Sequence, residues 1–304
     1  MTPAPAPAPE PAPAPAAVAA AMPPLPVAPD GTQALPCMEP PPPGLACIPG
    51  GPFIRGSDDG PKNTQPKATV WLQTYYMDIY EVTYGEYKAC QKAGKCGKAG
   101  PLYNDFSRPR QPMVGMNWYD AVNYCQVQGK TLPTEAQWEK AARGPDGALY
   151  PWGDEPVTCE RAIIKDKRGR SCGVPKKGSQ GHKGRTFEVG ERAPGVYGLY
   201  DMSGNAWEWV LDWASKSYAD CGAACEGVDP KGPCGGAPGA PPPGRISRLR
   251  TSSARRLRSR RSAKVSRPNA SAGGLPTTRS GGPSSRAQAS GSAPAGPQAR
   301  RRVW

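Results

Sequence analysis

The chain has 304 residues, with 40 prolines, 37 glycines and a net charge of +14. Proline and glycine concentrate at the two ends, and such stretches rarely bury a core. No Asp or Glu follows Asp229, and residues 230–304 hold 14 Arg and two Lys, leaving residues 1–229 at −2; this excludes a domain-wide electrostatic footprint for nucleic acid.

In chain order, residues 1–45 form a Pro/Ala-rich stretch without aromatics, expected to be a disordered, extended linker. A domain is expected over 46–236. Residues 68–80, ATVWLQTYYMDIY, are rich in β-branched and aromatic side chains and predict a strand. Three helices follow with one kind of start signal: Thr83 with Glu86, closed at Gly94; Asn117 with Asp120, closed at Gly129; and Thr134 with Gln137, closed at Gly144. Ala121, Val122 and Cys125 predict one buried stripe, and Trp138, Ala141 and Ala142 another. From Gly144 to Tyr200 the chain reads as irregular, with a Lys/Gly-rich insert around 165–186. Beyond Trp213 the only aromatics are Tyr218 and the terminal Trp304, so the core must lie before that point. Residues 237–304 are an Arg/Gly/Ser/Pro-rich tail, expected to be disordered or out of frame.

The ten cysteines fall between Cys37 and Cys234, with no CxxC and one histidine, His182, in the whole chain. Zinc sites favour tighter spacing, so disulfides are expected: Cys37 with Cys47, Cys90 with Cys96, Cys159 with Cys172, and a group of Cys221, Cys225 and Cys234 with one thiol left over. Such pairing belongs to an oxidising compartment, so the protein is expected to be exported to the periplasm or cell surface. Met1 is followed by neither a basic nor an apolar leader region, so a truncated start is expected, and no stretch reaches transmembrane length.

Six segments occur together and in order: IPGGPFIRGS (48–57), YYMDIYEVTYGEY (75–87), MNWYDAVNYC (116–125), GKTLPTEAQWEKAARG (129–144), YPWGDE (150–155) and YGLYDMSGNAWEWVLDW (197–213). Over about residues 47–236 the chain resembles the sulfatase-modifying-factor family, whose founding member is the formylglycine-generating enzyme. The resemblance implies a loop-rich α+β fold related to C-type lectins. It also brings the family's chemistry, the copper-dependent oxidation of a sulfatase cysteine to formylglycine by two active-site cysteines. Other members are non-catalytic modules attached to bacterial signalling proteins or lipoproteins.

Read alone, Asp201 and Glu208 are two carboxylates flanking a glycine-containing loop; they either cap a tight turn or contribute to a hard-cation site of mixed carboxylate and carbonyl oxygens. The resemblance implies calcium, with Asp201 and Glu208 as side-chain ligands and Gly204 and Ala206 as backbone ligands. The family's second calcium loop has no counterpart, because Ala162, Ile163 and Ile164 supply no ligand side chain. No residue matches the catalytic cysteines, since no cysteine follows Cys234; copper is expected only if a natural C-terminus restores the pair. His182 stands alone and reads as solvent-facing. Most of the tryptophans (71, 118, 138, 152, 207, 209 and 213) are expected in the core, with stacking on a glycan as the other reading.

The arginine run 254–264 could bind nucleic acid or anionic lipid. The competing expectation is a frameshift just after Arg248, because Gly274-Leu275-Pro276 is the out-of-frame reading of the family's closing Gly-Phe-Arg. Three functions are therefore carried: a non-catalytic family domain as translated, a formylglycine-generating oxidase acting on a sulfatase, and a lectin-like module binding a glycan or protein.

Overall fold

The three helices begin on their reciprocal caps. Thr83 Oγ1 accepts from the Glu86 amide and Glu86 Oε2 from the Thr83 amide, at 3.3 and 2.8 Å, and helix α1 runs Tyr84–Lys92. Asn117 and Asp120 do the same for α2 (Trp118–Val127), and Thr134 and Gln137 for α3 (Glu135–Arg143). Each pair satisfies two of the amides that a helix start leaves open. Gly144 closes α3 with φ of 73°, a conformation that costs a β-carbon-bearing residue energy.

The structure, a computed structural model, describes residues 24–175 and 184–232 and the backbone of Pro243–Ile246. His182, Cys234 and the tail beyond Ile246, with its expected frameshift, lie outside the described residues. The described elements form a mixed, loop-rich α+β domain. The strands make three two-stranded antiparallel ribbons: β1 (Leu45–Ile48) with β4 (Tyr75–Asp78), β2 (Gly51–Arg55) with β3 (Ala68–Leu72), and β5 (Glu208–Trp213) with β6 (Pro243–Ile246).

The single strand expected over 68–80 is two. Gln73 and Thr74 break it, and their polar groups are engaged sideways: the Gln73 amide donates to Asp229 Oδ1 at 2.7 Å, and Thr74 Oγ1 accepts from the Gly50 amide at 2.8 Å. The chain thereby leaves β2 as its partner and takes up β1. Gly50 is required at this crossing, since a β-carbon there would lie 2.8 Å from the Ala34 side chain and 2.9 Å from the Thr74 nitrogen.

The expectation that residues 1–45 are linker fails for 24–45. Val27 bridges Gln33, Ala28 and Ala34 are buried against Trp71, and Cys37 is bonded to Cys47. Small alanines pack with the indole, and the disulfide ties the segment down; Pro/Ala composition alone does not reveal either. Cys90–Cys96, Cys159–Cys172 and Cys221–Cys225 are also paired, and Cys125 is buried within α2.

The main core joins Ile48, Phe53, Leu72 and Met77 of the first two ribbons to Trp138, Ala141 and Ala142 of α3 and Val210 of β5. The tryptophan expectation is only partly met. Trp71 and Trp138 are buried, Trp118, Trp152, Trp209 and Trp213 are half-buried, and Trp207 is 59 % exposed. Ribbons this short have too little interior to enclose seven indoles.

Helix α3 is buried on its polar face as well. Lys140 Nζ donates to the carbonyls of Pro49 and Gly51 at 2.7 and 3.0 Å. Arg143 donates to the carbonyls of Gly56, Gly147 and Ala148 and pairs with Glu139. Glu139 in turn accepts from the Gly56 amide and the Tyr218 hydroxyl. Arg55 stacks on the Tyr218 ring at 3.8 Å and donates through Nη1 to the Cys225 carbonyl. These contacts hold the 218–225 segment against α3. Glu139→Ala leaves Arg143 unpaired in the interior, and the expected loss is about 3–5 kcal/mol, read as a shift of the urea midpoint.

Burial pushes the Asp212 carboxyl up to about 8, against the lowering effect of the hydrogen bond from the Glu135 amide. Burial, and then the Glu139 charge, push Glu135 up to about 7. Both folded values lie above the unfolded carboxylate range, so the native state binds more protons and stability falls as pH rises. The loss is absent below about pH 4 and complete above about pH 8, the window set by these two groups. Urea midpoints measured from pH 4 to 8 are expected to decline, and Asp212→Asn to flatten the decline; a pH-independent wild type contradicts this.

Candidate cation site and cleft

The loop entering β5 turns on three left-handed residues, Asp201 (φ 56°), Gly204 (φ 107°) and Asn205 (φ 48°), conformations that Gly and Asn adopt most readily. Gly204 is packed against the 162–164 segment so closely that a β-carbon would stand 2.6 Å from the Ile163 carbonyl oxygen. The Asn205 amide donates to that oxygen at 2.9 Å. Ala162, Ile163 and Ile164, which have no ligand side chain to offer, thus serve as the wall behind the loop.

Each predicted carboxylate is anchored through one oxygen. Asp201 Oδ2 accepts from the Gly190 amide at 2.8 Å, and Glu208 Oε2 from Trp138 Nε1 at 2.6 Å. The structure adds a third acid, Glu81, 120 positions before Asp201. Its Oε2 accepts from Asn205 Nδ2 at 2.9 Å, while its Oε1 is sealed from solvent and has no partner. Burial holds Glu81 well above the usual carboxylate range, and the charges of Asp201 and Glu208 push the same way. Burial also raises Asp201 and lifts Glu208 to about 7, the latter with help from the Asp201 charge and against the Trp138 donor. No sequence spacing announces Glu81, because its place at the loop follows from how the 79–82 segment passes beneath it.

Among the described residues, no three His, Cys, Asp or Glu side chains lie close enough to hold one metal ion. A cation bound here would have to draw on loop carbonyls, with Gly204 and Ala206 on the same turn. The donor set is all oxygen and suits a hard ion such as calcium, and the Glu81 oxygen at the loop has no hydrogen-bond partner. Copper(I) fits poorly among the described residues. Eight cysteines are disulfide-bonded and Cys125 is buried in α2, and Cu(I) prefers thiolate ligands.

Glu81, Ala206 and Glu208 line a cleft of about 1290 Å³. Lys165, Lys167, Arg168, Arg170 and Arg185 line the same cleft. Leu102 and Tyr103, 87 % and 62 % exposed, and Trp207 line it as well. Among the described residues no helix is long and apolar enough to cross a membrane.

Residues 33–270 match the sulfatase-modifying factor enzyme 1-like domain, a stretch that starts before and runs beyond the 46–236 boundary read from sequence. The formylglycine-generating enzyme of Thermomonospora curvata is 33 % identical over 238 residues, covering 62 % of this chain and 78 % of that protein. The Bos taurus formylglycine-generating enzyme is 31 % identical over 245 residues, covering 64 % of each chain. The serine/threonine-protein kinase pkn1 of Chlamydia pneumoniae is 32 % identical over 216 residues, and the chain spans 31 % of its length. Among solved structures, PvdO from Pseudomonas aeruginosa aligns with a TM-score of 0.48 at 26 % identity, covering 60 % of this chain and 75 % of that one. With the family pattern matched over residues 33–270 and a third of positions shared with a relative covered over most of its length, the chain belongs to the sulfatase-modifying factor enzyme 1-like domain family.

Proposed function

We propose that this chain is a calcium-stabilised member of its family that binds a partner through its cleft and, as translated, does not generate formylglycine. The observation that carries the calcium reading is the 201–208 loop closed around Glu81, with three desolvated carboxylates and one sealed oxygen lacking a partner. Asp201 and Glu208 would hold the ion with their side chains, and Gly204 and Ala206 with their carbonyls. A divalent cation would offset the repulsion among these acids and fix the loop that leads into β5; its role is structural. The four disulfides among the described residues suit folding in an oxidising compartment and support a working domain outside the cytosol.

Calcium titrated into the chelator-stripped protein is expected to raise Tm by several degrees, since an ion that binds only the native state stabilises by mass action. Asp201→Asn and Glu208→Gln should each abolish the rise, and magnesium should reproduce little of it. A Tm indifferent to calcium in the wild type refutes the calcium reading.

A second reading is favoured by the two formylglycine-generating relatives: an oxidase acting on a sulfatase, whose cysteine pair is encoded in another frame after Arg248. The pairing of β6 with β5 as far as Ile246, opposite Glu208, supports it, because the family-like lead into the final strands reaches this point. The protein as it stands is expected to give no aldehyde from a cysteine-containing sulfatase peptide with copper supplied, and a version with the frame restored is expected to convert it. Turnover by the present chain would overturn the non-catalytic reading. Tail peptides found by mass spectrometry of the native protein, together with an intact gene, would remove the frameshift.

A further inference from the structure

Residues 24–36 lie on the domain as a strap. The strap folds on itself, with the Ala28 amide donating to the Thr32 carbonyl and the Ala34 amide to the Pro26 carbonyl, both at 2.7 Å. Among the described residues it makes no backbone-to-backbone hydrogen bond to the rest of the domain. Side chains fasten it instead. The Leu35 amide donates to Gln73 Oε1 at 2.7 Å, Gln73 Nε2 donates to the Gln33 carbonyl at 3.0 Å, and Thr74 Oγ1 donates to the Leu35 carbonyl. Its apolar contribution is small: Leu25, Ala28 and Ala34 pack with Trp71 and Val228 in a cluster apart from the main core.

Covering Trp71 is unfavourable for one of its atoms. Its indole is 4 % exposed and Nε1 is sealed without a partner, whereas an uncovered indole would donate to water. Three of the four residues packed with it belong to the strap, so departure of the strap relieves that desolvation. The tether opposing departure is the Cys37–Cys47 disulfide, which joins positions ten apart and closes a short loop onto β1. This bond is also the most open of the four among the described residues. Cys90, Cys159 and Cys225 are buried, so every other pair has one enclosed cysteine, while Cys37 and Cys47 are both part-exposed. Thiol–disulfide exchange requires a thiolate to reach a sulfur, and access therefore orders the bonds.

We propose that Cys37–Cys47 is a redox latch: a dithiol reductant opens it selectively, and the 24–36 strap then leaves Trp71 while the domain stays folded. In the first step a thiolate of the dithiol attacks one of the two sulfurs, forming a mixed disulfide and expelling the other cysteine as a thiolate. The second thiol of the reductant resolves the mixed disulfide. The reductant leaves as its own disulfide, two electrons pass to the protein, and Cys37 and Cys47 end as thiols. Opening lengthens the leash between strap and β1 and raises the entropy the strap gives up on docking. The change stays local because the main core, the three capped helices and the other disulfides have no member in the strap. Release uncovers Trp71 and Val228, where residues 227–229 join β3. The proposal depends neither on calcium binding nor on the cleft.

The test titrates the full-length protein with dithiothreitol and reads thiol alkylation and hydrogen exchange by mass spectrometry of its peptides. Cys37 and Cys47 are expected to be labelled at a reductant concentration at least about tenfold below that needed for the other three pairs. At that concentration, exchange in residues 24–36 should quicken at least about tenfold while α3 is unchanged. The double variant Cys37→Ser/Cys47→Ser should keep a cooperative thermal transition and show the fast exchange without reductant. Another of these pairs opening at or below the same concentration overturns the proposal, as does strap protection that survives labelling of Cys37 and Cys47. Acceleration reaching α3 equally marks global unfolding and overturns it too, and so does a double variant that fails to fold.

Discussion

Irregular backbone buried in a small interior must find hydrogen-bond partners, and in this domain charged side chains supply many of them. Lys140 and Arg143 of α3 together serve five carbonyls, four of them outside helices and strands, and Glu139 serves the Gly56 amide. A regular sheet would satisfy those groups with its own ladder. With only two-stranded ribbons available, the domain uses a helix whose polar face points inward. Gln111 does the same work for the Asp105 and Thr186 carbonyls and the Arg108 amide. The four disulfides then close loops that have little apolar area of their own.

The same helix positions the candidate site. Its N-terminal Glu135 amide donates to Asp212 near the end of β5, and its Trp138 indole donates to Glu208 at the start. Strand β5 is therefore braced at both ends by one rigid element, and the 201–208 loop is held where it meets Glu81 and the 162–164 wall. The crowding of acids this creates is unfavourable without a cation or protons. That unfavourable arrangement persists because the packing around it leaves the carboxylates no other place to go.

The cleft inherits this layout. Its acids belong to the 201–208 loop and Glu81, and a disulfide-closed insert adds charge of the opposite sign. Aromatic and aliphatic side chains that the short ribbons could not enclose line it as well.

Much of the framework is legible in the sequence, because it rests on local chemistry. The caps at Thr83, Asn117 and Thr134 act within three residues, and the disulfides that formed as expected close short loops. The marker segment around Asp201 and Glu208 is likewise continuous in sequence. Tertiary structure alone decided the rest. It split residues 68–80 between two ribbons, since strand pairing depends on distant partners such as Gly50 and Asp229. It folded residues 24–45 onto Trp71, buried the polar face of α3, left Trp207 in the open and brought Glu81 under a loop 120 residues away. Each of these outcomes is set by which surfaces meet in space, and linear spacing carries no record of that meeting.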